Sequence, residues 1–228
     1  MYLIAIALSP AIALIWFLHV RSIYTPPNKS VVTVLFLAGG LCALLALVMN
    51  HSIEKYTILW AGAPDTLLRV TFWLLGVGLN EEFAKLLVLL LVLFPRSDFH
   101  SPYQGLLGAA SVALGFAALE NIFYLERYGT MTLLVRSVLT VPAHAFFTIP
   151  MGVMLAFAKR AHGAGRMYLW ILAGLAVSSF FHGLYDTWLS LEPDWLGYLS
   201  YAQVLLMGWL ALYLLRHPPF GETEEGQP

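Results

Sequence analysis

Residues 79–94 read Leu79-Asn80-Glu81-Glu82-Phe83-Ala84-Lys85-Leu86-Leu87-Val88-Leu89-Leu90-Leu91-Val92-Leu93-Phe94: two adjacent carboxylates and a lysine, then an unbroken apolar run. A helix that is apolar on every side has no face for water and belongs in a large core or in a bilayer. Composition chooses between the two. Of 228 residues, 60% are hydrophobic and 11% charged, against roughly 45–50% and about 25% in soluble proteins. Twelve Lys/Arg and thirteen Asp/Glu cannot give 25.3 kDa a charged skin, least of all when several lie inside apolar runs. The chain reads as an integral membrane protein. A net charge of −1 with scattered basic residues leaves no basic stripe, which excludes nucleic acid as a partner. The single cysteine, Cys42, rules out an internal disulfide and a thiolate metal cluster, and is expected to pack in its apolar segment.

Outward from this stretch, the apolar run reaches back to residue 66, and further runs of spanning length cover 1–20, 31–50, 104–125, 140–158, 167–190 and 195–215. Turn-rich connectors separate them: Thr25-Pro26-Pro27-Asn28, Ala63-Pro64-Asp65, Pro95-Arg96-Ser97-Asp98, His162-Gly163-Ala164-Gly165 and Glu192-Pro193-Asp194. The expected fold is an all-α polytopic membrane helix bundle of seven transmembrane helices, or eight if 66–94 divides. It forms one membrane domain over 1–215, with a flexible tail over 216–228. The first run has no basic residue before it and is longer than a signal-peptide core, so it reads as a retained helix with its N-terminus outside.

Basic residues test that orientation, because short cytoplasmic loops retain positive charge. With the N-terminus outside and the C-terminus cytoplasmic, the inner connectors carry Arg21, Lys29, Arg96, Lys159, Arg160, Arg166 and Arg216; the outer ones carry Lys55, Arg69, Arg127 and Arg136. The excess lies inside. The run 66–94 is the exception in length: at about 1.5 Å per residue it would reach about 43 Å, beyond a hydrocarbon core of about 30 Å. A break at Gly76 and Gly78 is expected, with 66–75 along the outer interface.

Charge inside a bilayer costs on the order of 3 kcal/mol, so each ionisable residue within a span is a functional candidate. These are Glu81, Glu82, Lys85, Glu120, His144, His182 and Asp186. Lys85 follows Glu81 by four residues and Glu82 by three, which puts all three on adjoining helix faces. Lys85 neutralises one carboxylate and leaves the other for proton transfer. His182 and Asp186 are one turn apart and face a common cavity, as a ligand pair or as a histidine with its orienting acid. Depth links them: Glu120, His144, His182 and Asp186 lie about 8, 6, 12 and 6 Å from the outer ends of their helices, at about 1.5 Å per residue.

Structural roles account for other polar and aromatic positions. A buried ion pair that holds helices together would explain Lys85 with one carboxylate, but not the second. His19, His51, His100, His162 and His217 fall at helix ends or in connectors; Trp16, Trp60, Trp170, Trp188 and Trp195 read as interface anchors. Gly105, Gly108, Gly115 and Gly152 read as close-packing sites, and Arg136 either snorkels or pairs with a carboxylate.

Taken in order, Glu81-Glu82-x-x-Lys85, Phe116-x-x-x-Glu120-Asn121, His144 with Thr148 and Gly152, and His182-x-x-x-Asp186 resemble the four motifs of the PrsW family of intramembrane proteases. That family is similar to the group containing the CAAX prenyl endopeptidases and the APH-1 subunit of gamma-secretase. Where the prenyl endopeptidases have EExxxR and FxxxH, this chain has EExxK and FxxxE, which points away from a prenylated substrate. The resemblance implies a bacterial cell-membrane endopeptidase acting on a single-span or membrane-anchored protein, as in site-one cleavage of an anti-sigma factor. It implies that Glu81 activates water, that Glu82 and Lys85 support it, and that Glu120, His144, His182 and Asp186 complete the site. Zinc held by His144 and His182 with two carboxylates among Glu120, Asp186 and Glu82 is one route; glutamate and histidine acting without metal is the other. Two further classes compete with a peptidase: an ion- or proton-coupled transporter, since buried acids and histidines also build proton relays, and a catalytically silent scaffold of the APH-1 kind. Against the transporter stands the lack of a paired repeat or a second broken helix.

Overall fold

The computed structural model describes residues 2–21, 24, 26–60, 66–191 and 193–217, and the regular structure among them is helical. The connector Ala63-Pro64-Asp65, residues Thr25 and Glu192, the side chain of Trp60 and the tail from residue 218 lie outside the described residues. In order, the elements are α1 (Tyr2–Val20), α2 (Lys29–Trp60), α3 (Thr66–Thr71), a π-helical stretch (Phe72–Gly78), α4 (Leu79–Val88), a second π-helical stretch (Leu89–Leu93), α5 (Pro102–Val138), α6 (Thr140–Arg160), α7 (Ala164–Ser190), a 3₁₀ turn (Asp194–Leu196) and α8 (Gly197–Arg216).

Five helices among the described residues are long and apolar enough to cross a membrane, within α2, α5, α6, α7 and α8. Of the seven expected spans, the first falls on α1, an apolar helix of 19 residues, and 66–94 forms a succession of α and π pieces. The expected break at Gly76 and Gly78 is not there. Thr71, Gly78 and Leu79 all keep right-handed helical backbone angles, and the change is one of winding, from i→i+4 to the wider π turn and back.

The expected outer connector between 125 and 140 contains a helix break at Gly129. α5 is therefore two helices that meet at Gly129, whose φ of 80° and ψ of −175° are non-helical, open to glycine and strained for other residues; the second, shorter one ends at Val138. That bend turns the last stretch of α5 so that Arg136 points back toward the first of the two.

α5 is the central helix. Its first turn is written locally: Ser101 Oγ accepts from Tyr103 N and Gln104 N, Gln104 Oε1 accepts from Ser101 N, and Pro102 occupies a position whose N–H has no helical partner. From Pro102 to Ala118 nearly every side chain is buried, a stretch rich in glycine and alanine that lets α1, α2 and α6 close on it. The Gly105–Gly152 crossing brings α5 and α6 into backbone contact, so the small residues do act as packing positions. Polarity runs opposite to a soluble fold: Leu37, Leu41, Val48, Leu169, Leu205 and Trp209 are exposed while Glu82, Lys85 and His144 are buried. Below the core, Arg96 forms a two-pronged pair with Asp98 at 2.8 Å, which holds the Asp98 carboxyl below the usual range.

Candidate active site

The site begins at a glycine contact. α4 and the π stretch before it cross α7 where Gly78 meets Gly183; a Cβ on Gly78 would lie 2.6 Å from Gly183 N, and one on Gly183 would lie 2.5 Å from Leu74 Cα. Two backbones this close admit no side chain between them. One turn beyond the crossing stand Glu81 and Glu82 on α4 and, beside Gly183, His182 on α7.

The two adjacent carboxylates have different partners. Glu82 Oε1 accepts from Lys85 Nζ at 2.6 Å and from His182 Nδ1 at 2.8 Å, and Glu82 Oε2 accepts from Thr148 Oγ1 at 2.8 Å. Both oxygens are engaged, and the Glu82 and Lys85 side chains are 0% exposed. A buried ion pair persists where further hydrogen bonds satisfy its remaining groups, as Thr148 and His182 do here. Glu81 is held differently: Asn50 Nδ2 donates to Oε1 at 3.0 Å, while Oε2 is buried with no hydrogen-bond partner among the described residues.

From Lys85 the contacts run on through α6. Lys85 Nζ lies 3.2 Å from His144 Nδ1 and 4.4 Å from the centre of the Phe116 ring. His144 Nε2 lies 2.8 Å from Glu120 Oε2, which also accepts from Arg136 Nη2 at 2.7 Å. Arg136 further donates through Nε to Asn121 Oδ1 at 3.0 Å and stacks its guanidinium 3.6 Å from the centre of the Tyr124 ring. Arg136 is thus a carboxylate partner and not a snorkelling residue. The His144 and His182 rings stand edge to face at 5.0 Å.

All seven candidate residues therefore lie in one connected cluster drawn from α4, α5, α6 and α7. Asp186 lies at its edge, with Oδ2 3.6 Å from His182 Nε2, and is partly exposed together with Glu120. Asn50 and Tyr124 were not among the sequence candidates. Both are uncharged, so a search for ionisable residues within spans passes over them; an asparagine at the end of the apolar run 31–50 is the signal that marks the first.

The donor atoms fit a metal. Because His182 gives its Nδ1–H to Glu82, its Nε2 carries the lone pair, and around it stand Glu81 Oε2 at 3.5 Å and Asp186 Oδ2 at 3.6 Å. These separations are close to the about 3.3 Å edge of a tetrahedron with bonds of about 2.0 Å. Glu81, His144 and His182 also offer donor atoms within 4.8 Å of one another. A carboxylate behind a histidine, here Glu82, is the arrangement that orients ligating imidazoles. Glu120 Oε2 is already engaged by both Arg136 and His144.

The chain matches the family model described as PrsW family intramembrane metalloprotease over residues 27–214. It is 33% identical over 210 residues to Protease PrsW of Geobacillus kaustophilus (strain HTA426), covering 92% of this chain and 89% of that protein. Against Protease PrsW of Bacillus subtilis (strain 168) it is 30% identical over 210 residues, 92% of each chain. Against that of Clostridioides difficile (strain 630) it is 26% identical over 176 residues, 75% of this chain and 72% of the other. No solved structure matches it. With a family match over most of its length and relatives aligned nearly end to end, the chain belongs to the PrsW family of intramembrane metalloproteases and is a peptidase of the membrane.

Proposed function

We propose that the chain cuts a single-span or membrane-anchored protein near the outer face of a bacterial cell membrane, with Glu81 as the base that activates water. The observation that carries this reading is the unequal engagement of the acidic pair: Glu82 is saturated by Lys85, His182 and Thr148, whereas Glu81 keeps Oε2 open beside His182 Nε2 and Asp186. Glu81 Oε2 takes a proton from water as its oxygen bonds to the scissile carbonyl carbon. The same proton then passes to the amide nitrogen as the carbon–nitrogen bond breaks, leaving an acid and an amine. Glu82 accepts from His182 Nδ1 and so leaves the lone pair on Nε2 beside Glu81 and Asp186, whereas Lys85 donates to His144 Nδ1, so that His144 carries its hydrogen on Nε2 and gives it to Glu120. Zinc would be held by His182 and Asp186, with His144 joining them once its Nε2 hydrogen passes to Glu120, and would there lower the pKa of bound water to about 7 and polarise the carbonyl.

The reading includes seven spans, with α1 and the α3–α4 stretch crossing alongside the five long helices, the N-terminus outside and the C-terminus cytoplasmic. An anti-sigma-factor-like substrate follows from the motif resemblance, and the wider kinship with prenyl endopeptidases and APH-1 rests on motif order alone. The deciding experiment is cleavage of a single-span reporter by the purified chain in liposomes. Glu81→Gln abolishes cleavage while the protein keeps its melting temperature; full cleavage by that variant removes the reading.

A further inference from the structure

We infer that Asn50, on α2, is a positioning residue that makes Oε2 the oxygen of Glu81 that accepts the proton from water; the inference rests on Glu81 being the base. Asn50 Nδ2 donates to Glu81 Oε1 at 3.0 Å, and the opposite oxygen, Oε2, has no hydrogen-bond partner among the described residues and faces His182 Nε2 at 3.5 Å. One oxygen is occupied and the other is aimed.

A third residue decides which end of the Asn50 amide meets Glu81. Asn80 Nδ2 donates to Asn50 Oδ1 and also to the Ala46 carbonyl oxygen at 3.2 Å. Reversing the Asn50 amide would set NH2 against NH2 on the Asn80 side and oxygen against carboxylate oxygen on the Glu81 side, so both bonds would be lost together. Asn80 precedes Glu81 in α4, and Asn50 and Ala46 lie one turn apart on α2. The brace therefore fixes the carboxylate plane relative to α2, a helix that contributes none of the ionisable residues of the site. A carboxylate free to rotate would present its reactive lone pairs to water only part of the time; one pinned through a single oxygen is held in the orientation the reaction needs. An amide suits this role because it donates without adding charge, whereas a lysine or arginine would pair with the base as Lys85 does with Glu82.

The test measures kcat, KM and melting temperature for the full chain in liposomes. Its probe is a fluorogenic single-span reporter whose membrane helix carries a donor–quencher pair on the outer side. Asn50→Leu keeps the bulk and removes the amide; Asn50→Ala removes both, and neither adds a charge beside Glu81. Both are expected to lower kcat by about 10–100-fold with KM within about two-fold of the parent, the usual cost of losing a group that orients a reacting side chain. Asn80→Ala, which removes only the brace, lowers kcat in the same direction by less. If Asn50 serves only to pack, Asn50→Leu retains the parental kcat, and that result overturns the inference. Glu81→Gln measured alongside separates the two failures: an inactive Glu81→Gln with full kcat in both Asn50 variants sinks the role of Asn50 alone. An active Glu81→Gln sinks the base, and the inference with it.

Discussion

Lys85 Nζ stands 2.6 Å from Glu82 Oε1 and 3.2 Å from His144 Nδ1, so a single ammonium ties the acidic pair of α4 to the imidazole of α6. It lies wholly inside the bundle, with the Phe116 ring 4.4 Å away. Its charge is balanced by one carboxylate only, which is why the neighbouring carboxylate keeps a free oxygen.

Removing that ammonium strands Glu82. Lys85→Met is expected to destabilise the protein by about 3–5 kcal/mol, the usual cost of leaving one member of a buried ion pair uncompensated. The double variant Lys85→Met/Glu82→Gln recovers much of the loss because no charge is left buried. Denaturant or thermal unfolding in detergent reads both; equal destabilisation by the single and double variants contradicts the pairing.

Arg136 has three different partners: the Glu120 carboxylate, the Asn121 side-chain oxygen and the Tyr124 ring face. A lysine cannot fork to two acceptors and stack at once, so Arg136→Lys is expected to behave as Arg136→Gln does, with reporter cleavage lowered at least about ten-fold. Parental cleavage by Arg136→Lys would show that charge alone suffices.

The Gly78–Gly183 contact sets where α4 crosses α7. A methyl group on either residue would overlap backbone, at 2.6 Å from Gly183 N or 2.5 Å from Leu74 Cα. Gly183→Ala is expected to cost about 1–3 kcal/mol by overpacking and to lower cleavage further, since Glu82 and His182 must separate. A melting temperature and activity equal to the parent would place the helices farther apart than described.

Metal analysis distinguishes the ligands from the groups that hold them. If zinc purifies with the chain, His144→Ala, His182→Ala and Asp186→Asn each lose it, while Glu120→Gln retains it because that carboxylate is committed to Arg136. Zinc lost from Glu120→Gln and kept in Asp186→Asn would exchange their assignments. A metal-free, fully active protein would leave catalysis to glutamate and histidine.

Some of this was readable along the chain because it depends on neighbours within one helical turn. The nearness of Lys85 to the acidic pair, that of His182 to Asp186, and the Ser101–Gln104 cap follow from spacing. Apolar excess with few charges is likewise a property of composition, and it specifies a membrane protein before any contact is known. Glycine suggested a break in 66–94 where the backbone instead rewinds into π turns; Gly78 serves its contact with Gly183.

What sequence by itself determined, then, is the solvent in which the chain folds, the helical segments and which ionisable residues have no innocent reason to be buried. Tertiary structure alone decided how they are shared out: Lys85 to Glu82 and not Glu81, Arg136 to Glu120 across the Gly129 bend, and Asn50 to Glu81 from a different helix. The physical reason is range. Propensity, capping and i,i+3 or i,i+4 pairing act over a turn, whereas the choice between two adjacent carboxylates depends on helix crossings fixed by backbone contact between residues as distant as Gly78 and Gly183.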